Sequence, residues 1–347
     1  MQPTTDNHPS AAPTRRPSLL LAMGPGVAGR LLTEEHRTRL STLTRTDPRL
    51  VAHDLTAPDP AVAAALAEAE LLLTCWGATP LTPEVLARAP RLRAVVHAAG
   101  SVKHHVTDAC WDRGIRVTSA AGANALPVAE YTLAAILFAG KRVLRSAQQY
   151  AELRTDQAWL AESGPWGNYR RTVGIVGASR IGRRVVDLLR PFDLDVLLHD
   201  PYVTEAPPGT ELVGLDELCA RATVVSVHAP QLPSTYRMIG ARQLAAMPDG
   251  ATLVNTARGS LVDEEALLPH LLSGRLHAVL DVTDPELPAP DSPLYSLPNV
   301  LLTPHVAGSL GNELHRMADQ ALAEVARYAA GEPFAEEVRA ADLTRSA

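Results

Sequence analysis

The stretch Gly174-Ile175-Val176-Gly177-Ala178-Ser179-Arg180-Ile181-Gly182 decides the fold of this chain. An apolar run, Thr172 to Val176, gives way to a glycine turn, and beyond it Ile181, Val185 and Leu189 recur every four residues, as one face of a helix requires. The first amides of such a helix have no intrahelical partners, and together with the positive end of the helix dipole they form a seat for a pyrophosphate. Gly177 is expected to make the tight turn and Gly182 to let helix and strand pack closely. Eighteen residues beyond Gly182, at the end of the next apolar run (Val196 to His199), stands Asp200, placed to accept hydrogen bonds from a ribose diol. Glycine turns before helices are common, so the weight rests on the whole succession of strand, turn, helix, strand and terminal Asp. One position departs from the dinucleotide fingerprint. Its middle glycine is Ser179, so the backbone's approach to a pyrophosphate is expected to be partly obstructed or replaced by a hydroxyl contact. Asp200 is followed by Pro201 and Tyr202, with no Arg or Lys beside it to receive a 2′-phosphate, which favours NAD over NADP.

Outward from this unit the chain alternates short apolar runs with amphipathic stretches. Val224 to His228, Thr252 to Asn255, Val279 to Val282 and Val300 to Thr303 continue the series after Asp200; Leu19 to Met23, Leu50 to His53, Leu71 to Thr74, Leu92 to His97 and Ile115 to Thr118 precede it. Strands separated by helices imply parallel sheets, because parallel neighbours need a crossover, and an α/β fold follows. A longer helical pattern runs from about Asn124 to Tyr150, too long for a mere crossover, and a final one covers about Leu310 to Ala329. Residues 1–17, with four prolines among Thr, Ser and charged residues, are expected to form a disordered leader.

With 347 residues the chain exceeds one compact domain, so two lobes are expected. Hydrophobic content of 46% with 20% charged residues is globular; 4% aromatics and a net charge of −6 argue against carbohydrate-binding or nucleic-acid surfaces. Cys75, Cys110 and Cys219 are odd in number and widely spaced, with no CxxC, so neither a disulfide framework nor a metal site is expected, and a reducing cytoplasm fits. No apolar run approaches the ~20 residues of a membrane span. Arg15-Arg16 before Leu19-Leu20-Leu21 is followed at once by Gly24-Pro25-Gly26, which suits a polar leader better than an export signal.

In an open parallel sheet, ligands sit beyond the carboxyl ends of the strands. There the chain places Arg258 after Thr252 to Asn255, Glu286 after Val279 to Val282, and His305 after Val300 to Thr303. Arginine's planar fork suits a carboxylate, histidine suits proton transfer near neutral pH, and a neighbouring carboxylate orients the imidazole and stabilises its charged form. Each alone has a plain alternative: a structural salt bridge, a solvated loop, or any of twelve histidines on the surface or in the core. Their conjunction with the glycine turn favours a site.

On these residues the chain resembles the D-isomer-specific 2-hydroxyacid dehydrogenases. The matching stretches are Ala98-Ala99-Gly100-Ser101-Val102, Pro127-Val128-Ala129-Glu130, Val173 to Gly182, Val227-His228-Ala229-Pro230, Val254 to Gly259, Leu280 to Glu286 and Pro298 to Gly308, within residues 50 to 330. The resemblance implies two Rossmann-like/flavodoxin-like parallel-sheet domains with an active-site cleft between them: a substrate domain of residues 18–122 plus 309–347, and an NAD-binding domain of 123–308, hinged near Gly122 and Gly308. It implies that Arg258 binds the substrate carboxylate and carbonyl, that His305 is the acid/base and that Glu286 pairs with it, although the family often has proline where this chain has Leu287. Gly100, Ser101 and Val102 would offer backbone amides to the carboxylate. Gly177, Ser179, Arg180, Ile181, Gly182, Asp200, His228, Pro230, Thr256, Ala257, Asp281 and Gly308 would line the NAD site, Asp281 near the nicotinamide carboxamide. The implied activity interconverts a small 2-oxo acid and its D-2-hydroxy acid, as glyoxylate or hydroxypyruvate reductases do, in a homodimer joined through the long helix. Two rivals share the fold: a phosphite- or formate-type dehydrogenase, the latter disfavoured because formate enzymes carry glutamine where this chain has Glu286, and a nucleotide-sensing regulator like the corepressors.

Overall fold

Leu71-Leu72-Leu73 is apolar at consecutive positions because its strand is covered on both faces. Leu71 and Leu73 join a cluster with Met317, Ala321 and Val325 of the helix Leu314–Ala330, whereas Leu72 joins another with Val62 and Leu66 of the helix Pro60–Glu68. The computed structural model describes residues 15–154 and 167–344. The chain divides into two compact units, one running to Asn124 and resuming over Leu310–Leu343, the other covering Ala125–Ser309.

In the first unit β1 (Leu19–Ala22), β2 (Val51–Ala52), β3 (Leu71–Thr74), β4 (Ala94–His97) and β5 (Arg116–Ser119) lie parallel in the order β2-β1-β3-β4-β5. This is the flavodoxin-like order. Glu337–Val338 adds an antiparallel pair of residues at the β5 edge. The second unit contains β6 (Arg171–Val176), β7 (Leu194–His199), β8 (Thr210–Leu212), β9 (Val224–Val227), β10 (Thr252–Asn255), β11 (His277–Leu280) and β12 (Val300–Leu302), all parallel in the order β8-β7-β6-β9-β10-β11-β12. The order reverses between β6 and β9, the switch point where such sheets bind ligands. Register pairs Val176 with both His199 and Val227, Val227 with Asn255, Asn255 with Leu280 and Leu280 with Leu302. Gly177, Asp200, His228, Thr256, Asp281 and Thr303 therefore stand in one row just past the strand ends.

Three expectations are corrected. The single helix read over Asn124 to Tyr150 is two, Ala121–Gly140 and Val143–Leu153, separated at Arg142, whose φ of 49° is left-handed. The first ends because its last carbonyls are capped: Asn168 Nδ2 donates to Leu137 O (3.1 Å) and the Gly167 N–H to Gly140 O (2.9 Å). That helix is also long and apolar enough, by length and composition, to cross a membrane, contrary to the reading that no run approaches that length. Much of its apolar content is accounted for by packing, since Ala129, Ala135 and Ile136 share a cluster with Val173, Ile175 and Val254 of the second sheet. Of the leader expected over 1–17, residues 1–14 lie outside the described residues. Arg15 pairs with Glu70 (2.8 Å) and the Pro17 carbonyl accepts from the Arg45 N–H (2.8 Å), so these positions belong to the packed first unit.

Candidate active site

Gly177 follows β6 with φ 100°, a conformation L side chains rarely adopt, and a Cβ there would lie 2.6 Å from Ala229 N. A Cβ at Gly182 would lie 2.0 Å from the Gly177 carbonyl oxygen, so strand and helix meet at a distance only glycine allows. Ser179 is the N-cap of the helix Arg180–Leu189, its hydroxyl accepting from the Gly182 N–H (3.2 Å). Arg180 is exposed at the first helical position and Ile181 packs at the margin of the core. Asp200 is fixed beside the turn, Oδ2 accepting from the Ala178 N–H (2.7 Å) and Oδ1 from the Tyr202 N–H (2.9 Å). On the other flank, His228 is buried, its Nε2 2.8 Å from Ser226 Oγ and its Nδ1 without a partner, and burial pushes its pKa down to about 3. A glycine cradle, a capped helix N-terminus, a carboxylate at the ribose end and an orphaned buried imidazole nitrogen fit a dinucleotide. Pro230 and Ala257 lie in the same row of loops, and Thr256 Oγ1 meets Thr132 Oγ1 at 3.0 Å.

Farther along the row, His305 Nδ1 lies 2.6 Å from Glu286 Oε1, and both side chains are open to solvent, 49% and 61% exposed. Because a carboxylate only accepts, Nδ1 carries the proton and Nε2 is left for a ligand. His305 has φ 54°, strained for a non-glycine residue, and its backbone is held by its N–H to Asp281 O (2.9 Å) and Thr303 O (3.0 Å). Asp281, buried, secures the same turn with its carboxylate, which accepts from Thr303 Oγ1 (2.6 Å), Val306 N–H (2.8 Å) and Ala307 N–H (2.9 Å). Gly308 follows directly. Arg258 Nη1 donates to Ala257 O (2.6 Å), and among the described residues no salt bridge claims its guanidinium. Burial pushes the Arg258 pKa down and the Glu286 charge pushes it back up, so Glu286 influences both the histidine and the arginine.

The structure thus brings Arg258, Glu286 and His305 to one rim of the second unit. Gly100, Ser101 and Val102 lie in the first unit, past the carboxyl end of β4, with Val102 buried and its carbonyl accepting from the Val106 N–H (2.9 Å). Sequence reasoning missed the supports: Asp281 as the anchor of the His305 turn, Tyr131, whose hydroxyl meets Thr303 Oγ1 (2.9 Å), and the buried Thr283. Among the described residues no three His, Cys, Asp or Glu side chains gather as metal ligands.

A two-sheet protein with a dinucleotide-type glycine turn, and with a histidine–carboxylate pair and an arginine on one rim, belongs to a narrow class, and comparison with known proteins names it. The family model "D-isomer specific 2-hydroxyacid dehydrogenase, NAD binding domain" matches residues 133–307. D-3-phosphoglycerate dehydrogenase of Mycobacterium leprae (strain TN) is 38% identical over 274 residues, 78% of this chain and 51% of that protein. Glyoxylate reductase of Korarchaeum cryptofilum (strain OPF8) is 35% identical over 259 residues, 73% of this chain and 78% of that protein. Among solved structures, the TT0316 protein from Thermus thermophilus matches with a TM-score of 0.71 at 31% identity, covering 92% of this chain and 100% of that one. The chain belongs to the D-isomer-specific 2-hydroxyacid dehydrogenase family, and its second unit is that family's NAD-binding domain. It spans about half the length of the D-3-phosphoglycerate dehydrogenases it matches.

Proposed function

We propose that the chain is an NAD-dependent dehydrogenase that interconverts a small 2-oxo acid and its D-2-hydroxy acid. The observation that carries this reading is the 2.6 Å contact of His305 Nδ1 with Glu286, on the same rim as Arg258. NADH, when bound, supplies the hydride that adds to C2 of the 2-oxo acid. Arg258 grips the substrate carboxylate with its planar fork and stabilises the charge growing on the carbonyl oxygen. That oxygen takes its proton from Nε2 of the protonated His305, while Glu286 holds Nδ1–H and stabilises the imidazolium until the ring is reprotonated from solvent. The reverse reaction uses neutral His305 as the base.

Glyoxylate and hydroxypyruvate are the substrates proposed first, because relatives named glyoxylate reductase and hydroxypyruvate reductase match over most of their length. A homodimer joined through the second unit is supported by an apolar cavity of about 220 Å³ lined by Tyr131, Phe138, Leu144, Pro298 and Leu301, and by Phe138, Tyr150 and Leu153 left exposed on the two adjacent helices. Three free cysteines, all buried, with Cys75 and Cys219 pushed up to about 12 by burial, support a reducing, cytoplasmic setting. The test is the nicotinamide absorbance of purified protein with NADH and glyoxylate, hydroxypyruvate, pyruvate or bulkier 2-oxo acids, and with NAD and 3-phosphoglycerate. His305→Ala should lose ~10²- to 10⁴-fold in turnover and keep its NADH affinity. NADH binding with no turnover on any of these acids would overturn the enzymatic reading in favour of a nucleotide sensor.

A further inference from the structure

We infer that Thr283 and Glu264 are positioning residues that hold Glu286 in register with His305, an assignment that rests on the function proposed above. Glu286 sits in an irregular turn and its side chain is 61% exposed, so packing does not fix it. Its backbone is fixed from beneath. Thr283 is 4% exposed, and its hydroxyl points at two carbonyls of its own turn, Pro285 O at 2.8 Å and Glu286 O at 3.0 Å. At the other side of the turn, Glu264 Oε1, from the first residue of the helix Glu264–Leu272, accepts from the Asp284 N–H at 2.7 Å. One bond ties the turn to itself and the other ties it to a helix. Local side-chain bonds of this kind choose one loop conformation among many.

The charged groups facing the turn are few. Arg258 feels the Glu286 charge; Asp281 has its carboxylate engaged by Thr303, Val306 and Ala307; Asp284 and Arg237 act on Glu264. Burial raises the pKa of Glu264, and the Asp284 N–H that it accepts works against that rise. This backbone contact is therefore one of the interactions that keep the Glu264 carboxylate charged. If the turn loosens, Glu286 leaves Nδ1 of His305, and the ring reverts toward its intrinsic preference for a proton on Nε2. That tautomer turns a donor toward the substrate at every pH and withdraws the base.

The experiment uses the full chain with ¹⁵N-labelled histidine, without cofactor, the His305 signals being assigned by their loss in His305→Gln. Wild type should show the Nδ1–H tautomer. Thr283→Val should move the ring nitrogens toward the pattern of Glu286→Gln, and Thr283→Ser, which keeps the hydroxyl, should restore them. Glu264→Leu should act like Thr283→Val, and Glu264→Gln, which keeps an acceptor oxygen, like wild type. In NADH-linked reduction of glyoxylate, Thr283→Val should lower kcat roughly 3- to 10-fold, leave KM for NADH unchanged and move the alkaline limb of the pH profile to lower pH. A wild-type tautomer in Thr283→Val, or no rescue by Thr283→Ser, overturns the assignment of Thr283. Should Thr283→Val not fold, the Glu264 variants decide by the same signals. A Glu286→Gln variant with an unchanged ring sinks the histidine–glutamate pair and this inference with it, whereas absence of glyoxylate turnover with the expected ring pattern fails only the substrate.

Discussion

Gly259→Ala is the substitution whose consequence the structure fixes most tightly. A Cβ at this position would lie 2.0 Å from the carbonyl carbon of Thr283, 2.1 Å from its oxygen and 2.5 Å from Asp284 N. All three are backbone atoms, so no flexible side chain can step aside. Restoring ordinary contact requires the segment Arg258-Gly259 and the turn 283–286 to part by roughly 1.5 Å. Overpacking of this kind costs about 1–3 kcal/mol, a sizeable part of the ~5–15 kcal/mol that holds a domain together. The two segments forced apart carry Arg258 and Glu286, and a misplacement near 1 Å at reacting groups costs about 10²-fold. Gly259→Ala should therefore melt several degrees lower and lose about 10²-fold in kcat/KM on the best 2-oxo acid. NADH affinity by fluorescence titration should fall less than kcat/KM, because the displaced segments adjoin only Thr256, Ala257 and Asp281 at the nicotinamide end, while the Gly177 turn follows β6, two strands away from β10. A variant with wild-type melting and wild-type kinetics would show that the turn does not lie over Gly259, and the argument about Thr283 would fall with it.

Asp200→Ser should shift the ratio of kcat/KM for NADH over NADPH toward NADPH, because it removes the carboxylate that Ala178 and Tyr202 hold at the end of β7; an unmoved ratio would mean Asp200 is not at the ribose. Arg258→Lys should raise KM for the 2-oxo acid and lower kcat together, since a point charge cannot make the two-point grip of a guanidinium, and unchanged kinetics would mark Arg258 as structural. Stability should fall on acidification from pH 6.5 toward pH 4, because burial lowers His105 to about 4, His228 to about 3 and His97 as well, so the unfolded chain binds more protons than the folded one across that window and stability is lost as pH falls. For His105 alone the loss at pH 5 is on the order of 2 kcal/mol, read as a lower urea midpoint than at pH 7 that His105→Gln makes less steep; a midpoint that holds or rises from pH 7 to 5 would contradict the burial of these rings as neutral groups.

The parts of this molecule that could be read from its sequence are those where a residue type is forced. Leu71 to Leu73 must be apolar because both faces of β3 are covered, and Gly177 and Gly182 must be glycine because one has φ 100° and the other lies 2.0 Å, at its missing Cβ, from a carbonyl oxygen. The shared rim of Arg258, Glu286 and His305 was legible for a related reason: a fork, a carboxylate and an imidazole at the ends of neighbouring strands are chemically uncommon company, and their catalytic roles remain the proposal made above. What stayed hidden works through the backbone. β8 and Glu337–Val338 are short edge pieces with no apolar run, paired by N–H and C=O groups that every sequence possesses. The break at Arg142 depends on Asn168 and Gly167 reaching the last carbonyls of the preceding helix, which no local pattern announces. Ser179 fills a fingerprint position and a helix N-cap at once, and only the geometry shows its hydroxyl turned to the Gly182 N–H. Thr283 follows the same rule, since its hydroxyl engages two main-chain carbonyls and nothing in the sequence marks it, whereas Asp281, read from the sequence as a neighbour of the nicotinamide, shows only in the structure that it holds the amides of Val306 and Ala307. Candidate reactive groups thus stand out by residue type, while the groups proposed to aim them stand out only by what they touch.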